Sequence, residues 1–307
     1  MKKTQHKTAI ESTLKSIDTE EFIDIHFYRP IGYRWALLFS KLNIAPNTIT
    51  IAAIFIGIGA GICFYFPDLK INIAGMLLLV WANSYDSADG QLARMTGKTS
   101  PIGRMLDGLC GIIWFLVIYA AICVRLTPSW GVWIWVLGAI TGYFHGKQTT
   151  MADYYRNIHL FFLKGKSGSE LSESPIIKDN FVKMSWKHNF TDKLFHGFYL
   201  NYTKDQESMT PNFQQMMQLI REKYPVENIP EWFRMVFREK SLPLMKYTNM
   251  LTFNTRTITL FIMIAINLPW LYFIFELTAF NIMLVYMVVR HERICAGLCK
   301  QLIAENP

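Results

Sequence analysis

The sequence predicts an all-α integral membrane protein: a bundle of six transmembrane helices with an N-terminal interfacial helix and a cytoplasmic insert. Three observations lead to this prediction. Of the 307 residues, 51% are hydrophobic and only 18% are charged. The apolar residues cluster in long blocks of roughly 20 residues, the length that a helix needs to cross a bilayer. The polar start of the chain lacks an apolar core with a cleavage site, so we expect no cleaved signal peptide.

The N-terminal part, residues 1–42, is predicted to lie in the cytoplasm. Residues 21–42 mix apolar and charged side chains, a pattern typical of a helix that lies in the membrane interface. Pro30 is expected to divide this stretch into two pieces. We predict that the second piece, 32–42, is the interfacial helix.

Six apolar segments are candidates for membrane spans. They are 47–66, 71–87, 105–125, 129–147, 254–269 and 270–290. Pro128 is expected to break the helix between the third and fourth segments, and the turn 267–269 should make the last two a tight hairpin. Gly57 and Gly61 in the first segment form a Gly-x3-Gly pair, which favours close helix packing inside the bundle.

The rest of the chain is expected to fall into three parts. Residues 43–147 hold the first four spans, 148–252 form a polar cytoplasmic insert, and 253–307 hold the last two spans and a cytoplasmic tail. The insert is too long for a simple connection, and helices are predicted near 211–223 and 230–240. Most Lys and Arg residues near the span ends fall on one side, which places both chain termini in the cytoplasm.

The formal net charge of +8 has two interpretations. One is the positive-inside bias of a multi-pass protein of the bacterial inner membrane. The other is attraction of anionic membrane lipids or of a phosphorylated substrate. No nucleic-acid partner is expected. The five cysteines lie in or beside apolar stretches, and Cys295 and Cys299 are interpreted as small apolar residues rather than as a metal-binding pair.

A run of acidic and small residues lies where the second apolar segment ends. One helix face carries Asp86, Asp89, Gly90 and Ala93, and the next helix carries Asp107 on the stripe predicted to face them. Packing of these stripes would bring the three carboxylates around one small volume. Carboxylate oxygens are hard ligands that suit Mg²⁺ or Mn²⁺. Either ion would neutralise the negative charge of a pyrophosphate. The alternative is that the aspartates are helix-end acids paired with Arg94, Lys98 and Arg104.

This arrangement closely resembles the signature of the CDP-alcohol phosphotransferase family, D-x2-D-G-x2-A-R-x8-G-x3-D-x3-D. The matching positions, with the family's spacing, are Asp86, Asp89, Gly90, Ala93, Arg94, Gly103 and Asp107. The family is also similar in its six spans and in the interfacial helix before the first span. The resemblance covers residues 21–147, and residues 254–300 by topology only.

The resemblance implies a membrane transferase of phospholipid synthesis. A CDP-linked donor would bind through its pyrophosphate, an alcohol hydroxyl would attack the β-phosphorus, and CMP would leave. The implied ligands of Mg²⁺ or Mn²⁺ are Asp86, Asp89 and Asp107, the last also being a catalytic residue. The implied substrate contacts are Asn47, Thr50, Gly90, Ala93, Arg94 and Gly103. A homodimer with its active site facing the cytoplasm is expected from the resemblance.

We expect the donor to be CDP-diacylglycerol, because the pyrophosphate of a membrane lipid can reach a site at the membrane boundary by lateral diffusion in the bilayer. An acceptor such as inositol phosphate or glycerol phosphate would suit the basic cytoplasmic face. Lys178 in the insert is the predicted contact for that acceptor, the alternative being a solvated basic surface. Two other functions stay open, a CDP-choline or CDP-ethanolamine type of phosphotransferase and a non-catalytic relative that binds CDP-lipids.

One position departs from the signature. Gly111 stands where the family has its last aspartate, which is taken to be the general base on the acceptor hydroxyl. Another residue could supply the base, the candidates being His145, Tyr143 and Asp153. Alternatively, the acceptor needs little help, or the chain binds the nucleotide without turning it over. His145 also fits a simple polar cap at a helix end.

Overall fold

The computed structural model describes residues 16–99, 101–185, 190–224 and 229–304, and every regular element in these ranges is helical. The α-helices are α1 Arg29–Lys41, α2 Pro46–Cys63, α3 Leu69–Thr96, α4 Pro101–Trp130, α5 Trp133–Lys164, α6 Ser174–Lys183, α7 Phe190–Ser208, α8 Pro211–Lys223, α9 Glu231–Met250, α10 Phe253–Ala265, α11 Trp270–Phe275 and α12 Asn281–Ala304. The predicted all-α class is confirmed.

The chain divides into two compact units. One unit contains the chain up to Gly146 together with Thr252–Ala279, and the other contains Lys147–Leu251 and the chain from Phe280 onwards. Helix α5 runs without interruption through the first of these boundaries. The predicted C-terminal part, 253–307, is therefore shared between the two units.

Three helices in the described ranges are long and apolar enough to cross a membrane. They are Pro46–Cys63, Leu106–Trp130 and the composite helix Trp270–Ala304. They overlap the predicted spans 47–66 and 105–125 and contain the predicted span 270–290. The other three predicted spans lie in α3, α5 and α10, which do not meet the same criteria of length and composition. The count of six spans stays a prediction.

Close packing of α2 on α4 forms the centre of the first unit. A Cβ atom at Gly57 would lie 2.0 Å from Nε1 of Trp114, and one at Gly61 would lie 2.9 Å from the side chain of Val117. The indole Nε1 of Trp114 donates a hydrogen bond to the carbonyl oxygen of Ala53 at 3.1 Å. The predicted role of the Gly-x3-Gly pair in helix packing inside the bundle is thus confirmed.

Several helix ends in the first unit have clear local causes. The Asp68 carboxylate accepts hydrogen bonds from the N–H groups of residues 70 and 71 and caps α3, and Gly97 ends that helix with φ of +68°. Asn267, with φ of +59°, makes the predicted turn after α10. The prediction that Pro128 breaks the helix is wrong. Pro128 lies within the last turn of α4, and the chain turns at Gly131, whose φ is +60°.

The segment around Pro30 also differs from the prediction. The chain is not divided there, because a π-helical turn, Asp24–Tyr28, runs directly into α1 and leaves Pro30 in the first turn of that helix. Pro30 thus follows the π-helical turn by two residues inside one continuous helical stretch. Helix α1 packs on α3 and exposes Leu37 and Leu38. This apolar surface is consistent with an interfacial helix, which stays a prediction.

The second unit is built on contacts of α12 with α8 and α9, and of α6 with α7. Its aromatic core includes Phe162 and Phe237, whose ring centroids are 3.9 Å apart. The helices predicted near 211–223 and 230–240 are confirmed as α8 and α9, and α9 continues ten residues further than predicted, to Met250.

Candidate active site

The three aspartates of the signature come from two neighbouring helices of the first unit. Asp86 and Asp89 lie one turn apart on α3, and Asp107 lies near the start of α4. Asp89 is 4% exposed, whereas Asp107 is exposed. The three carboxylates interact electrostatically with one another. The structure therefore brings together the groups that the helix periodicity placed on facing stripes.

Asp89 is the buried carboxylate of this group. The hydroxyl of Thr50, in the first turn of α2, donates a hydrogen bond to its Oδ2 atom. Burial raises the pKa of Asp89 to about 7, and the negative charge of Asp107 adds to the rise. The bonds from Thr50 and from the backbone of Gly90, together with the charge of Arg94, oppose it. To be fully ionised at neutral pH, Asp89 therefore needs more positive charge nearby than these groups supply.

Asp86 contributes a buried oxygen that needs a partner. Its Oδ1 atom has no hydrogen-bond partner, while its carboxylate interacts with the thiol of Cys110 on α4. A buried carboxylate oxygen without a partner is costly. Crowded carboxylates with an unmatched oxygen fit a hard divalent cation such as Mg²⁺ or Mn²⁺.

The carboxylates nevertheless do not form a closed cage. Among the described residues, the aspartates are not a set whose ligand atoms all lie within 4.8 Å of one another. An ion held by all three would therefore draw the side chains together or reach some of them through water. Both arrangements suit Mg²⁺, which keeps several water ligands when it binds phosphates.

Positive charge lies on one side of the aspartates. The guanidinium group of Arg94 lies over Gly90, where an added Cβ would be 3.4 Å from Nη1, and it interacts with Asp89 and Asp107. The sequence did not single out Arg29, which interacts electrostatically with Asp86 and Arg94. Arg29 also binds Glu20 through hydrogen bonds of 2.9 to 3.1 Å.

A second residue that the sequence reasoning missed is Gln91, which is fully buried in α3. Its amide nitrogen donates to the carbonyl oxygen of Arg29 at 3.1 Å and to the hydroxyl of Ser87 at 3.2 Å. These bonds hold the start of α1 beside the acidic face of α3. The only sequence feature that could have indicated this role was the position of the Gln91 amide between the signature residues Gly90 and Ala93.

The remaining predicted contact residues are distributed over both units. Asn47 is half-buried in the first turn of α2, three residues before Thr50, and Ala93 is half-buried on α3. Gly103 lies in the first turn of α4. Lys178 is exposed on α6 in the second unit.

Position 111 is open. A Cβ atom added to Gly111 would have no heavy atom within 4 Å, so the helix has room for the missing aspartate. Among the alternative bases, Tyr143 is 62% exposed, and Asp153 in the second unit accepts a hydrogen bond from Tyr202 at 3.0 Å.

His145, the principal candidate for the base, lies in a separate buried polar cluster. Its Nδ1 atom is 2.8 Å from the hydroxyl of Tyr119 and 3.5 Å from Glu276. Glu276 forms a buried ion pair with Arg256 at 2.8 Å. His145 also packs on Phe115, which lies eight residues along α4 from Asp107, a helix rise of about 12 Å. The assignment of His145 as a base stays a prediction.

The family comparison covers the part of the chain that carries the signature. Residues 43–156 match the family model described as CDP-alcohol phosphatidyltransferase. Over these residues the chain is similar to a CDP-alcohol phosphatidyltransferase domain. This domain includes Thr50, the three aspartates and Gly111, whereas Arg29 lies before it. Together with the apolar helices, the match makes the chain a membrane protein.

Curated relatives match over similar stretches. Cholinephosphotransferase 1 of Rattus norvegicus is 34% identical over 110 residues, which are 32% of this chain and 28% of the relative. The bifunctional IPC transferase and DIPP synthase of Aquifex aeolicus is 28% identical over 137 residues, 44% of this chain and 30% of the relative. Archaetidylinositol phosphate synthase of Pyrococcus horikoshii is 41% identical over 68 residues, 22% of this chain and 35% of the relative. The chain thus spans about a third of the length of these relatives.

Proposed function

We propose that this protein transfers a phosphatidyl or other substituted phosphoryl group from a CDP-linked donor to an alcohol and releases CMP. The observation that supports the proposal is the electrostatic interaction of Asp86, Asp89 and Asp107 with one another inside the matched domain. The relatives named above are transferases or synthases of this chemical kind by their names. We propose CDP-diacylglycerol as the donor and a phosphorylated alcohol, such as inositol phosphate or glycerol phosphate, as the acceptor.

The residues that would hold a divalent cation are the three aspartates. A bound Mg²⁺ or Mn²⁺ would neutralise the pyrophosphate and so favour attack at phosphorus. Asp86 would present its unpartnered Oδ1 atom, and Asp89 would be held in place by the hydroxyl of Thr50. Since the charge of Asp107 raises the pKa of Asp89, a cation that compensates for both charges would keep Asp89 ionised at neutral pH.

Other groups of the chain would bind and orient the donor. Arg94 offers a planar fork of N–H donors for phosphate oxygens and already interacts with Asp89 and Asp107. Gly90 lets the Arg94 guanidinium lie close to the helix backbone. Gly90 and the small side chain of Ala93 would line the pocket for the cytidine. Asn47, Thr50 and Gly103 complete the proposed donor contacts, because they occupy the first turns of α2 and α4.

We further propose six spans, a site that faces the cytoplasm and a homodimeric assembly in the bacterial inner membrane. Lys178 would attract the phosphate of the acceptor. If so, Lys178→Ala should raise KM for the acceptor more than KM for the donor. The matched control is Lys183→Ala on the same helix, since Lys183 is paired with Asp179 at 2.6 Å. Equal effects on the KM values of both substrates would show that Lys178 does not recognise the acceptor.

The deciding experiment follows CMP release by the purified chain in lipid, with Mg²⁺ or Mn²⁺, from radiolabelled CDP-diacylglycerol and a panel of plain and phosphorylated alcohols. The proposal expects metal-dependent CMP release that requires an alcohol. In parallel, CDP-choline is tested with diacylglycerol as the acceptor. This second function is favoured by the similarity to cholinephosphotransferase. Nucleotide binding without CMP release from either donor would instead support the non-catalytic relative.

A further inference from the structure

A cluster of metal-binding side chains lies in the second unit, on α12. His291, Glu292 and Cys295 are all buried, and each offers one ligand atom within 4.8 Å of the other two. The Nδ1 atom of His291 is 3.6 Å from Oε1 of Glu292 and 3.7 Å from Sγ of Cys295. Spacing by one and four residues places all three side chains within one helical turn.

The cluster contains polar atoms that the protein leaves without partners. In the described part of the chain, seven buried side-chain atoms lack a hydrogen-bond partner. Three of these seven lie here: Nε2 of His291, Oε1 of Glu292 and the hydroxyl of Tyr155. The Tyr155 ring lies against the His291 ring with centroids 4.5 Å apart, and Tyr155 interacts electrostatically with Glu292 and Cys295. The unmatched Oε1 of Glu292 and hydroxyl of Tyr155 call for a ligand, whereas Nε2 of His291 is a separate unmatched atom, since Nδ1 is the ring nitrogen that faces Glu292 and Cys295.

A histidine–glutamate ion pair does not account for this arrangement. The separation of 3.6 Å between Nδ1 and Oε1 is longer than a hydrogen bond, and Oε1 remains unpartnered. The second oxygen of Glu292 is already used, since Oε2 accepts a hydrogen bond of 2.6 Å from the backbone N–H of Asn212 in the first turn of α8. Glu292 is thus oriented by one oxygen and presents the other to His291 and Cys295.

We propose that His291, Glu292 and Cys295 bind a divalent transition metal ion, with Zn²⁺ as the best match. Imidazole, thiolate and carboxylate are the ligands that Zn²⁺ uses, whereas a thiolate disfavours Mg²⁺ and Ca²⁺. Tetrahedral Zn²⁺ with bonds of about 2.0–2.3 Å sets its ligand atoms about 3.3–3.6 Å apart. The separations around Nδ1, 3.6 and 3.7 Å, are close to these values. A water bonded to the Tyr155 hydroxyl would fill the fourth position.

The ion would stabilise the packing of α12 on α8. Both helices contribute to the site, α12 through the three ligands and α8 through the N–H of Asn212 that orients Glu292. A structural metal adds its binding free energy to that of folding. These three residues belong to the second unit, whereas the signature aspartates and the Cys110 thiol beside them belong to the first.

The experiment uses the full chain, purified in detergent without chelator and analysed for metal content. The expected result is about one zinc ion per chain. After replacement of zinc by Co²⁺, the wild-type protein should show the absorption band of cobalt–thiolate charge transfer, and loss of the band in Cys295→Ser distinguishes this thiolate from that of Cys110 beside the signature aspartates. Wild-type protein that neither retains zinc nor shows this band would overturn the proposal.

Variants then assign the ligands. Cys295→Ser should lose the cobalt–thiolate band and the zinc, and Glu292→Gln, which keeps an oxygen for the Asn212 N–H, should lose zinc. The matched control is Cys63→Ser, which removes a thiol from the first unit and should retain both. Helix content measured by circular dichroism verifies that each variant is folded. A Cys295→Ser protein that keeps the band would equally contradict the assignment.

Discussion

The hydroxyl of Thr50 in the first turn of α2 donates a hydrogen bond to the buried carboxylate of Asp89 on α3. Thr50 is itself 2% exposed, so this bond is shielded from water. It joins the start of one apolar helix to the acidic face of the next. The position of Asp89 therefore depends on the packing of two helices and not on α3 alone.

This bond predicts the effect of Thr50→Val. The variant keeps the shape of the side chain but removes the donor, and loss of a partner that orients a metal ligand lowers metal affinity or activity about 10- to 100-fold. Metal-dependent CMP release and Mn²⁺ binding should both fall by that amount. Thr50→Ser restores the hydroxyl and serves as the control. Equal activity of the valine and serine variants would contradict the role of the hydroxyl.

The aspartates themselves predict a larger effect. Asp89→Asn and Asp107→Asn each remove a charge from the proposed ligand set, which costs several kcal/mol and thus at least about 100-fold in rate. Both variants should also lose metal-dependent nucleotide binding, measured with labelled donor. Asp179→Asn, an exposed residue on α6, is the matched control. Normal turnover in either site variant would be fatal to the metal assignment.

The pKa of Asp89 predicts a pH dependence for the metal-free protein. The pKa is raised from 3.8 to about 7 in the folded state, so folding favours the protonated carboxyl. The contribution of this group to stability is fully present below the unfolded pKa and is lost as the pH rises through about 7. With chelator present, the midpoint temperature of thermal unfolding should decrease as the pH is raised from about 5 to about 8. Asp89→Asn should flatten this dependence, and a variant curve that parallels wild type would disprove the explanation.

Position 111 predicts a gain of function. Because an added side chain at Gly111 meets no atom within 4 Å, Gly111→Asp should fold normally and place a carboxylate one turn beyond Asp107. A general base typically contributes 10²–10⁴-fold, so CMP release should rise by roughly 100-fold. Gly111→Asn, which has the same shape without the base, should not show the increase. Loss of activity in both variants would indicate a site adapted to glycine.

Helix packing predicts a difference between two neighbouring glycines. Gly57→Ala would force a methyl group into the Trp114 indole and should destabilise the first unit by about 1–3 kcal/mol. Gly59→Ala is the control, since no atom lies within 4 Å of its added Cβ. Thermal unfolding in the same detergent should lower the midpoint for the first variant only. Similar midpoints for both variants would contradict this packing role.

The arrangement of the aspartates was predictable because helix periodicity alone sets which residues share a face. The shared helix face of Asp86 and Asp89 follows from their spacing of three residues. The packing of Gly57 and Gly61 on a neighbouring helix follows from their spacing of four residues. Arg29 was not predictable in this way. It is held near the site by a bond from Gln91, 62 residues away in the chain, and such tertiary contacts leave no periodic signal.

Local backbone chemistry caused the errors at the helix ends. Pro30 and Pro128 were expected to interrupt helices, but a π-helical turn joins the chain before Pro30 to α1, and at Pro128 the helix continues to Trp130. The His291 cluster escaped notice for a different reason. Cys295 was interpreted as one more apolar residue of a hydrophobic helix, although His291 lies four residues before it and contacts it on the same helix.

The contact between Trp114 and Ala53 has a consequence for how the proposed activity would respond to the membrane. Trp114 lies seven residues beyond Asp107 on α4, and Ala53 lies three residues beyond Thr50 on α2. The indole therefore sets the relative height of the two helices just below the acidic face. If the proposed transfer depends on this alignment, a bilayer thick or thin enough to slide α2 along α4 would misalign the carboxylates and lower the transfer rate.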